Sequence, residues 1–149
     1  MGKRRQNLNK LPTVFVDSSV FFTAVNSPTG GSAKIFSLNH KAFELITSLF
    51  VLTETERNVR NKLLFFHLDR FFNLVEQITI FEQKLDTKII ESARKAIVEK
   101  DAVILAEAKQ ASSNYLLTLD IKHFKTKPAQ DFAKPTQIVT PKELLRETT

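Results

Sequence analysis

Four acidic residues stand where chemistry is easiest to build. Asp17 ends the run Thr13-Val14-Phe15-Val16, and Glu54 follows Val51-Leu52 at the start of a helical pattern. Asp101 opens a stretch rich in Ala, Val, Ile and Leu, and Asp120 closes Tyr115-Leu116-Leu117-Thr118-Leu119. Singly, each has a plain structural use as a cap, a turn residue or a helix acid favoured by the macrodipole. Brought together without an interleaved Lys or Arg, they would repel one another and resist ionisation. A divalent cation resolves that conflict, and carboxylate and water ligands suit hard ions such as Mg²⁺ or Mn²⁺. Such an ion activates water and stabilises the transition state of phosphodiester cleavage. The 149-residue chain has no Cys, which removes thiol nucleophiles, thiolate zinc sites and disulfides together.

The elements that must position these acids follow from apolar patterning. Short apolar runs at residues 13–16, 43–46, 78–81, 115–119 and 136–140 read as buried strands. Ser32 is expected to cap a helix carrying Ile35, Phe36 and Leu38. From Val51, the residues Leu52, Thr55, Val59 and Leu63 share one helical face. Residues 64–75 place Phe65, Leu68, Phe72 and Val75 at helical spacing, Asp86 caps a helix bearing Ile89, Ile90, Ala93 and Ile97, and residues 102–111 form a largely buried helix. Pro141 starts a terminal helix. Strands alternating with helices imply a three-layer α/β/α sandwich around a central, mainly parallel sheet. In such a sheet, sites form beyond the carboxyl ends of the strands, which is where right-handed crossovers would project all four acids.

In order and spacing, Val14-Phe15-Val16-Asp17-Ser18-Ser19, Val51-Leu52-Thr53-Glu54, Lys100-Asp101-Ala102-Val103-Ile104-Leu105-Ala106 and Leu116-Leu117-Thr118-Leu119-Asp120-Ile121-Lys122-His123-Phe124 resemble the acidic motifs of the PIN-domain nucleases. The resemblance spans about residues 12–140. It implies a pocket of acids binding Mg²⁺ or Mn²⁺ and cleavage of RNA, and many small members similar to this chain are toxins of VapC-type toxin–antitoxin pairs. Asp17, Glu54, Asp101 and Asp120 match the family's four acids as catalytic and metal-holding residues, with Glu56 a rival for Glu54. Ser18 and Thr118 match hydroxyl positions that would orient carboxylates or water. His123 stands where many members carry another Asp and reads as an exposed loop histidine; His40 and His67 fit no pattern. Water activated by the ion would attack phosphorus, leaving a 5′ phosphate and a 3′ hydroxyl. Arg57, Arg60, Lys62, Lys122 and Lys125 are candidates for contacting flanking phosphates.

The formal charge of +6 is unevenly distributed. Residues 1–10 carry Lys3, Arg4, Arg5 and Lys10 with no acid, and Lys122, Lys125, Lys127 and Lys134 face only Asp131, whereas residues 11–121 hold 12 basic and 13 acidic groups. The chain is expected to divide into a basic flexible tail over residues 1–11 and a single domain over 12–149, and two basic segments flanking a near-neutral body are compatible with a polyanion partner. Apolar runs are too short to span a membrane, and the expected location is cytoplasmic.

The nearest catalytic rivals are phosphotransfer enzymes with a nucleophilic Asp. A haloacid-dehalogenase-type site would want a second Asp where Ser19 stands, and a receiver domain would want an acidic pair that is missing. The other alternative is a non-catalytic PIN-like module binding RNA or protein. Residues 63–72 could present an apolar face to a second copy, making a homodimer, or to an antitoxin helix.

Overall fold

A computed structural model of the protein describes residues 10–148; most of the expected basic tail, residues 1–9, lies outside the described residues. Five strands, β1 (Thr13–Val16), β2 (Glu44–Thr47), β3 (Thr79–Ile80), β4 (Tyr115–Leu117) and β5 (Gln137–Val139), form one sheet in the order β3-β2-β1-β4-β5. Every pairing is parallel, with Phe15 opposite both Ile46 and Leu116.

Alternation along the strands divides the core in two. Val14, Val16, Leu45, Leu117 and Val139 pack under α1 (Ser18–Asn26), α2 (Gly31–Ser37), α3 (Leu49–Lys62), α4 (His67–Gln77) and the terminal helix α9 (Pro141–Glu147). Phe15, Ile46, Leu116 and Ile138 pack under α5 (Thr87–Ala96), α6 (Glu99–Gln110), α7 (Ile121–Phe124) and α8 (Lys127–Ala133). The result is the expected three-layer α/β/α sandwich. Phe15 is fully buried at its centre, a burial that contributes about 1.5–3 kcal/mol.

Capping sets where helices begin. Asp17 accepts from the Ser18 amide at the start of α1, Ser48 from Val51 before α3, Asp86 from Lys88 before α5, and Thr140 and Glu143 form a reciprocal capping box around Pro141. Phe21 of α1 meets Phe36 edge-on at 5.1 Å and Phe71 at 5.5 Å, which anchors α1 and so fixes the residues at its N-terminus.

Several expectations change. Helix α1 is not among the expected elements, although Val20, Phe21, Ala24 and Val25 are buried on one side and Ser19, Thr23 and Asn26 lie at helical spacing on the other. Gly30, not Ser32, precedes α2. Helix α4 begins at His67, leaving Leu64, Phe65 and Phe66 exposed ahead of it. The lysine-rich stretch after Asp120 folds into α7 and α8 rather than a loop.

Candidate metal centre

β1 lies between β2 and β4, so chain connections leave it in opposite directions and open a crevice at the carboxyl ends of β1 and β4. Asp17 sits at the end of β1, and its amide donates to the Leu117 carbonyl at 3.0 Å. Its carboxylate is only 3% exposed and is fully engaged. Oδ1 accepts from the Ser18 amide at 2.7 Å, while Oδ2 accepts from the Ser19 hydroxyl at 2.8 Å and the Thr118 hydroxyl at 2.7 Å. Burial raises its pKa; the bonds from Thr118, Ser19 and Ser18 work against that rise, and the nearby Glu54 charge adds to it. The two hydroxyls are themselves held from behind, because Leu119 N–H donates to Ser19 Oγ at 3.1 Å and Asp120 N–H to Thr118 Oγ1 at 3.0 Å.

Glu54 reaches the same cleft from α3 and accepts a hydrogen bond from Ser18 Oγ on Oε1. Two residues along a helix turn the side chain by about 200°. Glu56 accordingly faces away and pairs with Arg60 at 3.0 Å on the surface, so the structure brings Glu54 and not Glu56 to Asp17.

Asp101 comes from the first turn of α6, three residues past the cap at Val98; it is not itself the cap. The residue is 9% exposed, and its Oδ2 is buried without a hydrogen-bond partner. Burial, then the charges of Asp120 and Asp17, push its carboxyl up to about 6, against the opposing pull of Lys100 and His123. Asp120 caps α7, accepting from the His123 amide at 3.1 Å on Oδ1, while Oδ2 lies 2.8 Å from His123 Nδ1. Burial opposes ionisation of Asp120, but the His123 bonds outweigh it and lower its pKa. His123 Nδ1 is 3.8 Å from Asp101 Oδ2, and one ligand atom each from Asp101, Asp120 and His123 lie within 4.8 Å of one another.

The acids share a cleft of about 380 Å³ that Ser18, Ser19, Arg57, Asn58, Lys62 and Lys100 also line. Two corrections follow. His123 is a half-buried partner of Asp120 instead of an exposed loop histidine, and Lys100 puts a cation beside acids expected to converge without one. Arg57 and Lys62 face the cleft, whereas Arg60 is engaged by Glu56. Lys122 is exposed on α7 outside the cleft. Lys125 is held by the Ile138 carbonyl at 3.0 Å and by Glu143 at 3.2 Å, which commits it to tying α7 to β5 and α9. Ser19, Asn58 and Lys100 were not singled out by sequence. Ser19 had a signal, its place beside Asp17 in Asp17-Ser18-Ser19.

A family profile described as PIN domain matches residues 14–128. Among solved structures, the chain is similar to PAE2754 from Pyrobaculum aerophilum, with a TM-score of 0.62 at 12% identity, covering 93% of this chain and 97% of that one. It is similar to VapC20 from Mycobacterium tuberculosis, described as a sarcin-ricin loop cleaving toxin, with a TM-score of 0.55 at 15% identity over 73% and 91%. FitAcB from Neisseria gonorrhoeae matches with a TM-score of 0.56 at 19% identity over 86% and 97%. No curated protein sequence matches the chain. No helix among the described residues is long and apolar enough to cross a membrane.

Proposed function

The chain belongs to the PIN domain family, and from that premise we propose that it is a metal-dependent endoribonuclease that hydrolyses RNA phosphodiester bonds as the toxin of a toxin–antitoxin pair. The observation that carries this reading is the unpartnered, buried Oδ2 of Asp101 facing two further aspartates. A lone pair removed from water without a donor is costly, and a cation is the ligand that relieves both that cost and the mutual repulsion of the acids. Asp17, Glu54, Asp101 and Asp120 are the residues that would hold it. Bound there, Mg²⁺ or Mn²⁺ supplies a Lewis acid that lowers the pKa of water and neutralises charge developing on the phosphate oxygens.

The protein's own groups do the rest. Thr118 and Ser19 hold Asp17 Oδ2 in one orientation, Ser18 aims Glu54, and His123 fixes Asp120. Arg57 and Lys62, along the same wall as Glu54, draw the phosphate backbone over the acids. Attack on phosphorus breaks the bond to the 3′ oxygen, leaving a 5′ phosphate and a 3′ hydroxyl. The toxin role is supported by the likeness to VapC20. Exposed Leu64, Phe65, Phe66 and Phe72 form an apolar surface suited to an antitoxin or to a second copy in a homodimer. Such a pair would act in the cytoplasm.

The test is cleavage of a quenched fluorescent RNA with Mn²⁺, with Mg²⁺ and with EDTA, beside Asp17→Asn and Asp101→Asn. The expected result is metal-dependent cleavage that falls by about 10³-fold or more in either folded variant, equivalent to about 4 kcal/mol of barrier. Cleavage that survives both substitutions overturns the assignment. Absence of both cleavage and calorimetric Mn²⁺ binding overturns it in favour of a non-catalytic PIN-like binding module.

A further inference from the structure

A second crevice opens on the same edge of the sheet, over the carboxyl ends of β2 and β3. It encloses about 560 Å³ and its floor is Glu107 of α6. Glu107 is 9% exposed. Among the described residues, its carboxylate receives a single hydrogen bond, from Ser48 Oγ to Oε1 at 2.7 Å, and no cation pairs with it. Burial raises its pKa, as expected of an anion short of donors. The position is braced from outside: Gln83 Nε2 donates to the Glu107 carbonyl at 3.1 Å, and Phe81 N–H to the Thr47 carbonyl at 2.8 Å. Phe50 and Phe81, 41% and 37% exposed, present aromatic rings to the same crevice. On its rim, Lys84 and Glu82 cancel in charge. The acidic cleft does not use any of these groups.

We propose that this crevice is a base-reading subsite that takes a guanine of single-stranded RNA, stacked on Phe50 and Phe81 and read by Glu107. The chemistry is one of matching donors. On its Watson–Crick edge, guanine sets two adjacent donors, N1–H and the N2 amino group, in the plane a carboxylate accepts; uracil offers one donor, and adenine and cytosine alternate donor with acceptor. A base enters as a neutral plate, which a rim without net charge does not oppose, and it gains stacking on aromatic faces. Place also favours RNA. The two crevices sit two strand spacings apart along one sheet edge, about 10 Å, and Ser48 caps α3, the helix whose second turn carries Glu54. A strand laid over the acids therefore passes the Glu107 crevice. The proposal rests on the ribonuclease reading for the presence of RNA at this edge.

The test is fluorescence anisotropy in EDTA with labelled oligouridine carrying one central guanine, inosine or adenine. The expected result is binding of the guanine probe about tenfold tighter than the inosine probe, which lacks only the N2 amino group, a preference that Glu107→Gln abolishes. Glu107→Gln keeps the shape and an acceptor for Ser48, and its fold is checked by melting. Phe81→Ala is expected to weaken all three probes together, also by about tenfold. Equal binding of guanine and inosine probes, or a preference that survives Glu107→Gln, overturns the proposal. So does binding of an arginine-rich peptide that Glu107→Gln abolishes without any base preference, which would assign the crevice to a protein partner. The same probes with Mn²⁺ separate the two readings: guanine preference with neither cleavage nor calorimetric Mn²⁺ binding removes the nuclease reading alone, and cleavage without preference removes the guanine subsite alone.

Discussion

On the β1 side of the acidic cleft, Asp17 receives three donors and both of its oxygens are engaged. On the α6 side, Asp101 has a buried oxygen with no hydrogen-bond partner among the described residues. The first carboxylate is held in place by the fold, and its orientation is settled before any ligand arrives. The second is left open, and burial with the charges of Asp120 and Asp17 pushes its carboxyl up to about 6; burial raises Asp17 too, so what separates the two is the donors each receives. A site that must both have a fixed geometry and retain affinity needs one group of each kind.

This contrast can be broken in graded ways. The largest expected effect is on ion-linked stability. Saturating Mn²⁺, near a hundredfold over its dissociation constant, should add about 2.7 kcal/mol, roughly 5–10 °C of melting temperature for a domain of this size. Asp101→Asn should erase that gain while Thr118→Val keeps most of it; equal losses in a thermal-shift assay would dissolve the distinction. Next, Thr118→Val removes a donor from Asp17 and the acceptor of the Asp120 amide. Urea unfolding should register a cost of about 1–3 kcal/mol, whereas an unchanged midpoint would show that the hydroxyl holds nothing.

A smaller effect concerns the open side in metal-free buffer. The folded chain binds the Asp101 proton more tightly than the unfolded chain does, since its carboxyl rises from 3.8 to about 6 on folding. The stability this group contributes is therefore present in full below pH 3.8 and is lost as pH climbs through about 6. In EDTA at pH 8, Asp101→Asn should melt roughly 2–4 °C above the parent, a figure kept low for solvent screening. Near pH 4 the two should converge, and calorimetry that found the variant less stable at pH 8 would contradict the account. The smallest effect is at Glu56. Its surface pair with Arg60 predicts that Glu56→Gln changes stability by less than about 0.5 kcal/mol and leaves RNA cleavage unaltered.

Much of the architecture was legible because strands buried on both faces read as short apolar runs that stop abruptly at polar residues. Helix α1 is amphipathic, with Val20, Phe21, Ala24 and Val25 enclosed and Ser19, Thr23 and Asn26 along the other side, but the pattern spans only nine residues directly after a strand, which left it unread although its N-terminus carries Asp17, Ser18 and Ser19. Glu54 and Glu56 could not be separated in the linear chain, since only the helix's rotation against α1 decides between them. His123 and Lys125 were misjudged for a related reason. The first meets Asp120 only because residues 121–124 coil into a helix, and the second is held by Ile138 and Glu143, more than ten residues downstream.

Asp17 caps α1, Asp120 caps α7, and Asp101 lies in the first turn of α6, so three of the converging acids face the positive ends of helices. Backbone amides thus serve as a permanent partial countercharge, built of groups that cannot diffuse away. If the proposed ion binds there, folding and ion loading would be separate events, and the ion could leave and return without dismantling the scaffold. In the proposed enzyme, the free concentration of the cation acts as a throttle on machinery that is already assembled.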